Sequence, residues 1–113
     1  MSMTTQYADV EPSREQVDAI NGPVVLEFGA PWCSICMGTQ DAIGAAMNDH
    51  PAVRHIKIED GRGRPLGRSF RVKLWPTLVF MRDGAEVGRL VRPGSAGQIR
   101  EALAQLQSPP GAV

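Results

Sequence analysis

Hydrophobic residues follow two spacings along the chain. Residues Val24-Val25-Leu26-Glu27-Phe28 are apolar at nearly every position, not at every second one, which predicts a strand covered on both faces. Residues 53–58 and 77–81 predict two further strands, and 86–91 a weaker fourth. A helical period takes over from about residue 33 to 48, where Ile35, Ile43 and Met47 share a face weakened by Gly38 and Gly44. Ile99, Leu103 and Leu106 do the same over 95–106, and a short helix is expected over 65–70. Ser13-Arg14-Glu15-Gln16 is a capping box that starts an early helix, stopped by Asn21-Gly22-Pro23. Arg82-Asp83-Gly84 between apolar runs predicts a hairpin. A β-α-β unit followed by a hairpin and a helix gives a three-layer α/β sandwich, a central mixed sheet flanked by helices. The expected organisation is a flexible N-terminal segment over 1–12, one domain over 13–107 and a disordered tail over 108–113.

Composition narrows the function. At 113 residues, with 42% hydrophobic and 21% charged positions, the chain holds one domain able to form a core without disulfide or metal staples. A two-domain enzyme is excluded. Twelve basic and twelve acidic residues cancel, which argues against a dedicated nucleic-acid or anionic-membrane binder. The charges are segregated, however: residues 1–53 carry one Arg and seven acids, and residues 54–100 carry eleven bases and four acids. The expectation is that folding interleaves the two halves. No run of eighteen apolar residues occurs, and Met1-Ser2-Met3-Thr4-Thr5-Gln6 has neither a basic nor an apolar leader region, so a cytoplasmic location is expected; a monomer is the expected state.

The two cysteines, Cys33 and Cys36, lie too close in sequence to staple distant parts of a fold, which points to chemistry. A C-x-x-C where a buried strand enters a helix meets unpaired backbone N–H groups and the positive end of the helix dipole, and both favour a thiolate. Cys33 is then the exposed, attacking sulfur, and Cys36, one turn further in, resolves the mixed disulfide. The spacing Cys33-x2-Cys36-x13-His50-x4-His55 also fits a zinc site. A helix between Cys36 and His50 would hold its ends roughly 21 Å apart, against Zn–N bonds of about 2 Å, and the zinc reading is set aside. Glu27 interrupts the first apolar strand. Burial favours a carboxylate's neutral form, which would let Glu27 exchange a proton with Cys36, directly or through water. His55 and Lys57, on alternate positions of the next strand, are read as strand-face polar residues near Glu27.

Ala30-Pro31-Trp32-Cys33-Ser34-Ile35-Cys36, Trp75-Pro76-Thr77 and Asp83-Gly84 together resemble the thioredoxin family over roughly residues 13–107. The resemblance implies a thioredoxin-like fold and a thiol–disulfide oxidoreductase that reduces protein disulfides, with a redox-active Cys33–Cys36 pair. It also implies a cis-proline loop at Trp75-Pro76 beside the cysteines, no cofactor of its own, and an electron-donating reductase as second partner. Trp32, Trp75, Pro76 and Arg92 are the expected partner-binding residues. Several positions depart from the family. Ser34-Ile35 replaces Gly-Pro between the cysteines, Gly29 stands where an aromatic is frequent, Met37 where a cation is, and Arg92 where a glycine lines the groove. These departures keep an alternative in view, a thioredoxin-fold chaperone or adaptor for one client. The family's opening strand is hard to find in residues 4–10.

Overall fold

The computed structural model describes residues 3–108. Within them the chain runs α1 (Arg14–Asp18), β1 (Pro23–Gly29), α2 (Ser34–Asn48), β2 (Arg54–Glu59), α3 (Pro65–Ser69), β3 (Thr77–Arg82), β4 (Ala85–Val91) and α4 (Ala96–Gln107). The sheet order is β2-β1-β3-β4, with β1 parallel to β2 and antiparallel to β3, and β3 antiparallel to β4. The expected three-layer sandwich is therefore formed. Of the tail expected over 108–113, residues 109–113 lie outside the described residues.

The unbroken apolar run of β1 follows from its place inside the sheet. Val24, Leu26 and Phe28 point into one core with Val79, Met81, Val17, Leu66 and Phe70, under α1 and α3. Val25 points the other way, with Leu78, Phe80, Ile43, Met47, Ile99 and Leu103, under α2 and α4. Alternation along the strand sends successive side chains to opposite layers, and both layers hold buried apolar cores. Glu27 falls on the α2 side of this alternation, so its carboxylate is directed into the protein rather than to a sheet edge.

Local capping matches its chemistry. Ser13 and Gln16 make both bonds of the capping box at α1. The β3–β4 turn places Asp83 at φ 49° and Gly84 at φ 85°, and a Cβ on Gly84 would lie 2.3 Å from the Asp18 carbonyl oxygen, so only glycine fits there.

No strand forms over residues 4–10. That segment instead lies along β2 by scattered bonds: Thr4 N–H donates to His55 Nδ1 at 2.9 Å, Thr4 Oγ1 to the His55 carbonyl at 2.7 Å, and Ala8 N–H to the Lys57 carbonyl at 2.9 Å.

Candidate active site

β1 ends at Gly29, a tight turn follows, and α2 begins directly behind Cys33. Cys33 is the N-cap of α2, and its sulfur accepts the Cys36 N–H at 3.2 Å, where a serine or aspartate oxygen more often sits. The sulfur is thus held over unpaired N–H groups at the positive end of a fifteen-residue helix, a setting that suits an anion. Cys33 is 8% exposed and Cys36 2%, so Cys33 is the more accessible sulfur. Both are free thiols. Burial pushes the Cys36 thiol from its ordinary value near 9 up to about 12, and the bond to Cys33 adds to the rise.

This gives a pH prediction. The folded chain keeps a proton on Cys36 that the unfolded chain releases above about pH 9. The stability this supplies is full below the unfolded value and is lost as pH climbs towards 12. At about 1.4 kcal/mol per unit, reduced wild type should fall relative to Cys36→Ala by on the order of 2 kcal/mol between pH 9 and 11. Urea midpoints measured across that range check it, and a constant difference would refute it.

A polar cluster lies under the cysteines. Glu27 is fully buried. Its Oε1 accepts from His55 Nε2 at 2.9 Å and its Oε2 from Gln40 Nε2 at 2.8 Å, while the same Gln40 nitrogen reaches the Cys36 carbonyl at 3.0 Å. Gln40 Oε1 accepts from Lys57 Nζ at 2.9 Å; because lysine can only donate, the amide orientation is fixed. His55 is fixed in the same way. Thr4 N–H occupies Nδ1 as an acceptor, so the ring proton is on Nε2 and is donated to Glu27. The reading of His55 as a plain strand-face residue is thereby corrected: the β1–β2 register sets it beside Val25 on the buried face, within reach of Glu27.

Tyr7 closes the cluster from the N-terminal segment. Lys57 Nζ stands 4.7 Å over its ring. A Cβ on Gly29 would be 2.8 Å from Cys36 Sγ and 3.2 Å from Tyr7 Oη, so glycine here leaves room for the phenol beside the inner sulfur. Burial pushes the Tyr7 phenol above its ordinary range, and the charges of Cys36 and Glu27 push it the same way. A cleft of about 350 Å³, lined by Tyr7, Cys36, Met37, Gln40 and Lys57 among others, opens onto Cys36 and is roomy enough for water. Gln40 was open to sequence reasoning, since it lies four residues after Cys36 on the same helix face. Tyr7 and Thr4 gave no signal.

On the other side, Trp75 packs against Ala30, Cys33 and Cys36, and its ring meets Trp32 edge-on at 5.4 Å. Trp32 itself is 71% exposed. The Trp75–Pro76 peptide is cis. Asp60 accepts the Trp75 indole N–H at 2.8 Å, and Arg92 Nε donates to the Trp75 carbonyl at 2.8 Å. Trp75 and, through it, Trp32 thus stand beside the cysteines, while the buried Pro76 is joined to Trp75 by the cis peptide and Arg92 is tied to the Trp75 carbonyl. The histidines of the zinc spacing do not join them. His50 bonds Gln107 and His55 bonds Glu27.

Comparisons agree with this geometry. The thioredoxin family model matches residues 5–105. The chain is 30% identical to a thioredoxin of Echinococcus granulosus over 102 residues, covering 83% of this chain and 94% of that one. It is 32% identical to a thioredoxin of Mycolicibacterium smegmatis over 83 residues, 70% of this chain and 74% of the other. Reduced thioredoxin 2 from Pseudomonas aeruginosa PAO1 superposes with a TM-score of 0.82 at 51% identity, covering 92% and 96% of the two chains. Among the described residues no helix is long and apolar enough to cross a membrane. With its cysteine pair at the head of α2 and this likeness along almost its whole length, the chain belongs to the thioredoxin family and is a dithiol–disulfide oxidoreductase.

Proposed function

We propose that the protein works in the reducing direction, on disulfides of protein partners, by way of a mixed disulfide at Cys33 resolved by Cys36. Cys33 Sγ attacks one sulfur of the partner disulfide; the S–S bond breaks, the partner's other sulfur leaves as a thiolate and takes a proton. Cys36 then gives up its proton and attacks Cys33 Sγ, which releases the second partner thiol and leaves a Cys33–Cys36 disulfide. Two electrons have passed to the partner, and a dithiol reductase must return them. The observation that carries this reading is the pairing of an N-capping sulfur with a more deeply buried thiol one turn inside the helix.

The polar cluster supplies what the second step lacks. A thiol pushed to about 12 is almost wholly protonated at neutral pH. Glu27, buried beneath Gln40, is the nearby base that takes the Cys36 proton, while His55 and Gln40 hold the carboxylate from both sides. Trp32, Trp75 and Pro76 form the surface on which the partner segment lies.

Insulin reduction driven by dithiothreitol tests the activity, and the reduction potential tests the direction. Turnover well above the uncatalysed rate is expected, with a potential nearer about −270 mV than about −120 mV. Rates at the uncatalysed level would leave the adaptor reading in its place, and a potential near the upper value would make the protein an oxidant.

A further inference from the structure

We propose that the partner segment carrying the disulfide is acidic, and that its carboxylates occupy an arginine-lined cleft between α3 and the Trp75–Pro76 loop. This rests on the redox reading above and names the class of partner it serves. The cleft has a volume of about 430 Å³, and its walls include Arg64, Arg68, Arg71, Lys73, Asp60 and Trp75. Arg68, Arg71 and Lys73 are exposed, and none makes a side-chain hydrogen bond or ion pair among the described residues. Acids are fewer than bases here: Asp60, the one acid in the lining against Arg64, Arg68, Arg71 and Lys73, accepts the Trp75 indole N–H, and Glu59 meets Arg64 at 3.7 Å. The expectation that folding would interleave acidic and basic halves therefore fails at this place. Positive charge stays concentrated, and it stays concentrated next to Trp75, which packs on the cysteines.

The backbone adds an independent observation. Arg71 follows α3 at φ 58°, with Arg71 N–H bonded to the Arg68 carbonyl and Val72 N–H to the Gly67 carbonyl. This is the Schellman arrangement, whose left-handed position glycine fills without strain. Arg92, at the end of β4, is left-handed as well, at φ 51°, and its backbone N–H donates to the Pro76 carbonyl. Two arginines thus occupy strained positions where glycine would be the more stable choice. One lines the cleft beside Trp75, and the other is bonded to the Trp75–Pro76 backbone itself. Residues held in sparsely populated backbone conformations cluster at binding and switch sites, and these two flank the Trp75–Pro76 loop. The zero net charge of the whole chain, and a cleft wall made by Trp75, which packs on the cysteines, favour a protein segment over a nucleic acid. With a screening length of about 8 Å and about 3.3 Å per extended residue, the carboxylates that count lie within about two or three residues of where the partner segment crosses the cleft.

Three cyclic disulfide peptides, identical except for aspartate, serine or lysine flanking the cysteines, test this in reduction by the dithiol protein. Expected kcat/KM falls from the aspartate to the lysine peptide by about tenfold or more at low ionic strength, shrinking to about twofold in 0.5 M salt. The triple change Arg68→Glu, Arg71→Glu, Lys73→Glu should invert the order. Arg71→Gly should narrow the ratio while raising the urea midpoint, which separates loss of charge from loss of fold. Equal rates for the three peptides, or an unchanged ratio in the triple variant, would overturn the proposal. If even the serine peptide is not reduced, the redox reading itself fails, and the cleft is then judged by tryptophan-fluorescence titration with linear, cysteine-free aspartate and lysine peptides. There, tighter binding of the aspartate peptide supports the cleft, and equal binding, or tighter binding of a single-stranded oligonucleotide, refutes it.

Discussion

Cys36→Ser should convert the protein from a catalyst into a trap. The variant keeps the outer sulfur, and the bond from the residue 36 N–H to Cys33 Sγ survives because it is a backbone bond. Attack on a partner disulfide therefore proceeds, and the mixed disulfide then has no internal thiol to release it. External thiol at about 1 mM competes poorly with a well-oriented internal group, whose effective molarity reaches about 10⁵–10⁸ M in model reactions, so the complex should outlive the wild-type intermediate by at least about 10³-fold. Cys33→Ser is the control: no covalent complex and no insulin reduction above the dithiothreitol background. Non-reducing gels after acid quench, with intact mass of the shifted band, read both. Two results would refute the assigned order of the sulfurs: a stable complex with Cys33→Ser, or none with Cys36→Ser.

The sulfurs and the frame that holds them were readable from the sequence because each rests on local rules. The C-x-x-C falls where an apolar strand gives way to a helical period, Ser13 and Gln16 are three residues apart, and Asp83-Gly84 has the backbone freedom its turn requires. β1 was recognisable because burial on both faces removes polar alternation. What lay beyond reach depends on contacts across the sequence. Thr4 and His55 are 51 positions apart, and their bond leaves no period in a polar N-terminal stretch. Tyr7 was invisible for the same reason, and with it the purpose of Gly29, which reads as a missing aromatic until the phenol is seen beside it. The helix end at Phe70 was placed nearly right, but its left-handed residue was hidden, since the sequence rule looks for glycine and Arg71 stands there. Glu27 fell between these cases: its interruption of the strand marked it, whereas the donors that hold it, His55 and Gln40, come from β2 and α2.

Glu27→Gln should leave the first step fast and slow the second by about 10²–10⁴-fold at neutral pH, the usual worth of a positioned general base. With the Cys36 thiol pushed up to about 12, only roughly 10⁻⁵ of it is ionised at pH 7, so attack on Cys33 depends on a group that removes the proton as the new bond forms. Glutamine can still accept from His55 Nε2, but its amide N–H would face the Gln40 N–H, and Gln40 cannot turn over because its oxygen is bound to Lys57. One buried bond is lost, at a cost of about 1–3 kcal/mol, which the urea midpoint reports separately from the kinetics. Without the carboxylate, hydroxide becomes the base, and the resolving rate should rise about tenfold per pH unit from pH 7 to 9 while wild type changes less steeply. Glu27→Asp, shorter by one methylene and still acidic, should restore most of the rate and the flatter profile. Rapid-mixing measurements on a preformed Cys33 mixed disulfide isolate this step from partner binding. Resolution by Glu27→Gln within about threefold of wild type, with the same pH profile, would remove Glu27 from the proton path and leave it as the carboxylate that orders His55 and Gln40 beneath the helix.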